Sequence, residues 1–404
     1  MHDTHDTHDL QDTQDLQDTQ DTWGSGVMPA HSWALITSID MSDQHHAGSS
    51  HASDSAPDST SSADACVSDV SCVLPAVPAP APTAVTAAAW AEKEPDRPWC
   101  APELVGAMPW AGTHEYVHAA TVQHDGPGPW HAVGATRRGR VHAHAGDFRE
   151  DALAVHVADD LVVVVVSDGA GSAAHSRVGS EHCCRTVRGT VTTAWRTIVA
   201  SSDADTLAQG LGAALGDGVA AAAASLRAVA AQVEGVQPRD FRCTVIAAAW
   251  GRSAGGDEAL VVVQVGDGIA AVLDTDGVVT RTAEGDSGDF SGEVTCFVPD
   301  DGCEERARRA VRLDPARVRA LLVATDGIED PFYPIARRGA DIARQLRDGN
   351  DATLDGFVRQ PSHGPVLGHA DGAANLATWL QFEKRGENDD RTIVALSRRD
   401  VARA

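Results

Sequence analysis

The stretch Leu161–Ser176 reads LVVVVVSDGAGSAAHS. Its opening run of six apolar residues, five of them valine, describes a strand buried on both faces. The run stops at Ser167-Asp168-Gly169, and a glycine-rich turn follows. A carboxylate at the end of a buried strand has three ordinary uses. It caps a turn, orients a ribose beside a dinucleotide, or holds a metal ion.

The same pattern recurs. VVVQVGDG and LLVATDG also end apolar strands in Asp-Gly, placing Asp267 and Asp326 like Asp168. Asp389-Asp390 directly precedes the strand RTIVAL, and Glu150-Asp151 precedes ALAVHV. Acidic residues thus flank five strands. Asp-Gly alone makes good turns, and the chain has such pairs elsewhere, as at Asp276-Gly277 and Asp348-Gly349. If the strand ends converge, however, the carboxylates repel one another, and divalent cations offset that repulsion. All-oxygen donors suit Mg²⁺ or Mn²⁺, and a pair of such ions activates water and clamps a phosphoryl group.

The rival reading rests on Gly169-Ala170-Gly171-Ser172-Ala173-Ala174, which matches the dinucleotide fingerprint G-x-G-x-x-G/A. That motif requires a helix, then a parallel strand with an acidic residue about 20 residues on. Here two helical stretches follow, 177–200 and 204–234, with no strand until 243, and the acid precedes the first glycine. The fingerprint is therefore set aside.

The wider pattern places a hairpin at 151–167 turning at Asp159-Asp160, the two helices, then strands at 243–250, 259–268 and 269–277. Further strands are read at 293–298, 319–327 and 391–397, with helices near 303–311, 335–347 and 372–383. Gly216-Asp217-Gly218 marks a weak point in the second long helix. Strands mostly adjoin strands, which describes an α+β fold with mainly antiparallel sheet.

Ahead of this, residues 2–22 repeat Asp at every third position, and a Ser, Asp, Ala and Pro-rich stretch continues to about 100. Residues 1–110 read as a disordered acidic tail and linker. The first 100 residues hold 16 Asp and Glu against Lys93 and Arg97, and so carry −14 of the net −26. A chain acidic throughout, without a basic stripe, argues against nucleic acid or an anionic membrane as partner. No run reaches the ~18–20 apolar residues of a membrane span. None of the eight cysteines forms Cys-x-x-Cys, and Cys243 sits in an apolar run; both fit a reducing, cytoplasmic setting. His142 and His144 read as polar strand positions.

GDFREDALAVHV, LVVVVVSDGAGSAAHSRVGSE, CTVIAAAW, VVVQVGDG, LLVATDGIEDPFYP and NDDRTIVAL, in this order, together resemble the metal-dependent type 2C protein phosphatases, in their bacterial branch with an Asp-Gly-Ala-Gly-Ser motif. The resemblance covers about 130–398. It implies a four-layer α/β/β/α sandwich of two antiparallel sheets. It also implies a serine/threonine protein phosphatase that uses two Mn²⁺ or Mg²⁺ ions, with in-line attack by a metal-bridging hydroxide. The substrate class would be phosphoserine and phosphothreonine proteins, including those of a bacterial serine/threonine kinase, and the chain is expected to act as a monomer.

By the same resemblance, Asp168 bridges both ions and Gly169 offers its carbonyl. Asp326 and Asp389 complete the other ion's site, and Glu150 and Asp151 hold metal-bound waters. Asp267 matches a weaker third metal site. Asp390 stands where many relatives have Asn. Where some relatives carry a His as general acid, this chain has Ala170, which leaves His175 or a metal-bound water for that role. Arg137, Arg138, Arg140 and Arg149 are candidates to contact phosphate, Arg137 and Arg140 first among them. The missing His and the undetermined Arg leave a second reading open, a non-catalytic module that binds phosphoproteins or kinases.

Overall fold

A run such as LVVVVV is buried on both faces only if each face meets its own layer. In the computed structural model, which describes residues 92–125, 128–282, 296–354 and 358–399, it does. Leu161, Val163 and Val165 pack toward helices, while Val162, Val164 and Val166 pack toward a second sheet.

The described chain begins with α1 (Pro102–Val105), β1 (Ala119–His124), β2 (Trp130–Arg137), α2 (Arg140–Ala145), β3 (Ala152–Val157) and β4 (Leu161–Ser167). Two long helices follow, α3 (Ser176–Ile198) and α4 (Ala204–Gln232), then β5 (Val245–Arg252), β6 (Glu258–Val265), β7 (Ile269–Asp274) and β8 (Val279–Arg281). Next come α5 (Cys303–Ala307), β9 (Val311–Leu313), β10 (Val318–Ala324), α6 (Asp326–Glu329) and α7 (Ile335–Asp348). The last elements are β11 (Thr353–Leu354), β12 (Val358–Gln360), α8 (Gly372–Trp379), β13 (Glu383–Lys384) and β14 (Arg391–Arg398).

One sheet has the order β1-β2-β14-β10-β7-β8 and the other β3-β4-β5-β6-β9. Every pairing in both is antiparallel. Trp130, Trp250, Leu260, Leu321, Val394 and Leu396 fill the space between them. Helices α3 and α4 cover the five-stranded sheet, and α7 and α8 the six-stranded one. The expected four-layer α+β sandwich is the observed one. A small sheet, β11-β12-β13, is added.

Several local expectations differ. Helix α4 runs unbroken through Gly216-Asp217-Gly218. A Cβ on Gly218 would stand 2.9 Å from the Cα of Val187 on α3, so the glycine permits close helix packing, and that packing outweighs its poor propensity. By length and composition α4 could also cross a membrane. In this fold it is a core helix, with Leu207, Leu211, Leu215 and Leu226 wholly buried. The helix read at 303–311 ends at Ala307, because Val311 and Leu313 find ladder partners in Val262 and Leu260 on the open edge of β6. The helix read at 372–383 ends at Trp379. Of the strand read at 293–298, residues 293–295 lie outside the described residues, and Val298 makes only an isolated bridge with Cys243.

The folded unit also starts earlier than 130. Strand β1 pairs with β2. Leu104 and Met108, read as part of the tail, and Ala111 just past it join the core that also holds α3. The acidic repeat and most of the linker, residues 1–91, lie outside the described residues. Cys100, Cys183, Cys184, Cys243, Cys296 and Cys303 are buried free thiols.

Because Leu215 is fully buried between α4 and the sheet, Leu215→Ala should cost about 2–5 kcal/mol in urea unfolding. A midpoint unchanged from the parent would show that α4 does not pack there.

Candidate metal centre

Antiparallel pairing brings the ends of β4, β6 and β10 and the starts of β3 and β14 to one end of the sandwich. Asp168 follows β4, Asp267 lies in the turn between β6 and β7, Asp326 follows β10, and Asp389 precedes β14. They meet around a cavity of about 420 Å³, lined also by Glu150, Gly169, His142, Asp330 and Glu387. One carboxylate oxygen each from Asp168, Asp267 and Asp326 lie within 4.8 Å of one another. His142, Asp389 and Asp390 form a second group with the same spacing.

The motifs are tied together behind the cavity. Asp390 is buried, and its carboxylate accepts the backbone N–H of Gly139 at 2.5 Å and of Glu150 at 2.6 Å. It also pairs with His142 Nδ1 at 3.0 Å. A Cβ on Gly327 would stand 1.8 Å from the Asp390 carbonyl oxygen, so this Asp-Gly glycine serves close contact with the neighbouring motif. Asp151 is buried, accepting the Thr325 hydroxyl at 2.9 Å. Thr325 is in turn paired with Thr392 through both backbone N–H groups. The Asp168 N–H donates to Thr244 Oγ1 at 3.1 Å.

The site is loaded with like charge. Burial, then repulsion from Asp326 and Asp151, raises Asp168 well above the usual carboxylate range. Burial, then Asp267 and Asp389, does the same to Asp326. Burial carries Glu150 and Asp151 up to about 7 and Asp267 to about 6. For His142, burial opposes the charge, but the hydrogen bond and charge of Asp390 outweigh it and raise the imidazole to about 9.

These residues fit divalent cations. Glu150 Oε2, Asp151 Oδ1, Asp267 Oδ1 and Asp326 Oδ1 are buried without a hydrogen-bond partner, an arrangement that is costly unless something positive meets them. The donors are carboxylate oxygens, as hard cations require.

Glu150, Asp168, Gly169, Asp267, Asp326 and Asp389 line the cavity, while Asp151 sits behind it. Asp267, matched by the resemblance to a weaker third metal site, has a carboxylate oxygen within 4.8 Å of those of Asp168 and Asp326. The basic candidates lie elsewhere. Arg140 pairs with Glu383, and with Arg137 and Arg138 it lines a different cavity of about 170 Å³. Arg149 braces the backbone, donating to the carbonyls of Asp151 at 2.9 Å and Val117 at 2.8 Å. His175 occupies the N-cap position of α3 without a side-chain cap bond, its ring 5.6 Å from Phe241, and does not line the acidic cavity.

Three residues escaped the sequence reading. His142 lies on helix α2 rather than on a strand, and nothing local marks its partner 248 residues on. Asp330 is one helical turn past Asp326, a spacing visible in DGIED. Glu387 lies just ahead of Asn388-Asp389.

The sequence profile of the family described as Protein phosphatase 2C matches residues 138–359. No curated protein matches the chain. Among solved structures, a serine-threonine phosphatase 2C from Toxoplasma gondii is similar at 16% identity and TM-score 0.44, over 69% of this chain and 99% of that one. A second Toxoplasma gondii phosphatase is 13% identical with TM-score 0.42, over 69% and 95%. The PPM Ser-Thr phosphatase MsPP from Mycobacterium smegmatis is 15% identical with TM-score 0.36, over 70% and 99%.

The raised carboxyls set a sign for pH. Glu150, Asp151 and Asp267 hold protons in the folded state that the unfolded chain has released. Their contribution is full below about pH 4 and is lost as pH rises through about 6 to 7. Protein stripped with EDTA should therefore lose thermal stability across that window, and Mn²⁺ or Mg²⁺ should restore it at neutral pH. A metal-free profile that stays flat or rises would contradict the clustering.

Proposed function

Because the chain belongs to the protein phosphatase 2C family, we propose that it hydrolyses phosphoserine and phosphothreonine in protein substrates with the help of two Mn²⁺ or Mg²⁺ ions. The observation that supports this most is the meeting of Asp168, Asp267 and Asp326 within 4.8 Å, with buried, unpartnered oxygens at the same cavity. Asp168, Asp326 and Asp389 would hold the ions, with the Gly169 carbonyl and Glu150 beside them. When bound, the cations would supply the positive charge that activates water and offsets charge on the phosphoryl oxygens.

The rest follows from the chain itself. Among the described residues, seven carboxylates line the cavity, and no Lys or Arg does. Such a cavity repels a phosphate dianion until cations are in place, so metal loading controls substrate entry as well as reactivity. At about 420 Å³ it accepts a phosphorylated side chain rather than a folded surface, and the substrate segment must reach inward. His142 is the basic side chain at the wall. Asp390 holds its Nδ1, which leaves Nε2 to donate a proton to the departing oxygen. We assign His142, rather than His175, to that role. The free thiols fit a reducing compartment, and we place the protein in the cytoplasm, acting on phosphorylated proteins as a monomer.

With Mn²⁺, the purified chain should hydrolyse p-nitrophenyl phosphate and a phosphothreonine peptide. EDTA should abolish turnover, and Asp168→Asn should lower kcat at least about a hundredfold. Activity that survives both would overturn the reading. The lack of a Lys or Arg at the cavity among the described residues favours one alternative, a phosphoprotein-binding module, which metal-dependent peptide binding without turnover would establish. Within the catalytic reading, His142→Gln should reduce kcat on the phosphopeptide by about a hundredfold, and His175→Ala should leave it near the parent value.

A further inference from the structure

The strands that carry Asp267, Asp326 and Asp389 at one end form a different pocket at the other. A cavity of about 40 Å³ lies where β7 and β14 end and β10 begins, lined by Leu273, Arg319, Arg347, Leu367, Ser397 and Arg398 among others. At about 3.3 Å per residue, the six to eight residues of each strand put it roughly 20 Å or more from the acidic centre. Among the described residues no carboxylate lines it, a local reversal in a chain of net charge −26.

Its polar groups are unfinished. Ser397 is 4% exposed, and its Oγ is buried with no hydrogen-bond partner. The Nε of Arg319 is likewise buried and unpartnered, and Arg319 makes no ion pair among the described residues. The two other guanidinium groups are partly satisfied. Arg347 pairs with Asp348 through Nε and Nη2, and Arg398 Nη2 bonds Glu258 and the Pro315 carbonyl while its Nε is left over.

Buried polar atoms without partners are costly. Here they are guanidinium N–H groups, which only donate, and a hydroxyl that can donate too. A ligand that satisfies all of them accepts only, and beside three arginines it carries negative charge. Size narrows the class: one water needs about 10–15 Å³, so about 40 Å³ holds a group of a few heavy atoms. A nucleoside is excluded.

We propose that this cavity is a binding site for a small tetrahedral oxyanion, inorganic phosphate or a phosphoryl group, held by Arg319 and Ser397 with Arg347 and Arg398 at its wall. The site is independent of the proposed catalysis, and its test is run without metal. In EDTA the acidic cavity repels anions, and variants of Arg319 and Ser397 separate binding at the distal pocket from binding at the cavity lined by Arg137, Arg138 and Arg140.

The full-length chain is titrated with sodium phosphate, with sodium chloride at matched ionic strength as the reference, and followed by calorimetry and thermal melting. A saturable rise in Tm with phosphate beyond that with chloride is expected. Arg319→Gln should weaken binding at least about tenfold, the scale of one lost charge-assisted hydrogen bond. Ser397→Ala, a small change that keeps the strand, should weaken it about threefold or more. Arg317→Gln, on an exposed neighbour outside the cavity, should leave it unchanged. O-phosphoserine distinguishes the sources: competition with phosphate assigns a phosphoryl group, and exclusion assigns the free ion. A response no greater than that to chloride, or equal responses from the parent and both pocket variants, would overturn the site.

Discussion

Mutual repulsion among carboxylates gathered at one end of the sandwich is the constraint on which the rest of this structure depends. Asp168, Asp267 and Asp326 hold oxygens within 4.8 Å of one another, a spacing at which unscreened like charges would drive loops apart. They stay because each is anchored to a strand that the core holds in place. Val162, Val164 and Val166 of β4, Leu260 and Val262 of β6, and Leu321 and Val323 of β10 are locked into the same inter-sheet core. The apolar interior supplies the force, and the strand ends carry it to the polar site. Protons relieve the strain in the metal-free chain, which is why the carboxyls lie so far above their ordinary range.

Asp390 and His142 show how the arrangement is stitched together. Asp390 accepts from Gly139 and Glu150 and pairs with His142, so one buried carboxylate joins α2, the entry to β3 and the entry to β14. A lone buried charge would be costly, and the histidine compensates it. Because His142 also faces the cavity, the group that neutralises this anchor is the basic side chain nearest the proposed chemistry. Strands β7, β10 and β14 meet, at the far end of their sheet, in a pocket of opposite charge walled by arginine. The sheet therefore presents an acidic face at one end and a basic pocket at the other.

Much of the fold is readable along the chain where one residue pattern has one physical meaning. LVVVVV has no polar position, so it must be covered on both sides, and α3 with α4 and the second sheet provide that cover. The sequence reading failed where the deciding contact lies far away. VRL at 311–313 is too short to declare itself a strand, and only the free edge of β6 makes it one. Gly218 weakens a helix considered alone, yet it allows α4 to settle against Val187. Leu104 and Met108, in a Pro-rich approach to the domain, are recognisable as core only once α3 lies above them.

The acidic strand ends were determined by the sequence alone, because local rules place Asp after an apolar strand wherever that strand finally packs. Asp168, Asp267, Asp326 and Asp389 could be named in this way, as could the α+β class. Which of them share an ion-sized space was decided by the sheet order, and that order drew Asp267 in beside Asp168 and Asp326. The positive partners were likewise a tertiary matter. Arg137, Arg140 and His175 lie near the motifs in sequence, but the two arginines line a second cavity and the His175 ring lies against Phe241. His142 gains its role from a carboxylate 248 residues away. Hydrophobic periodicity is written residue by residue, whereas charge pairing depends on distances that exist only after the chain has closed on itself.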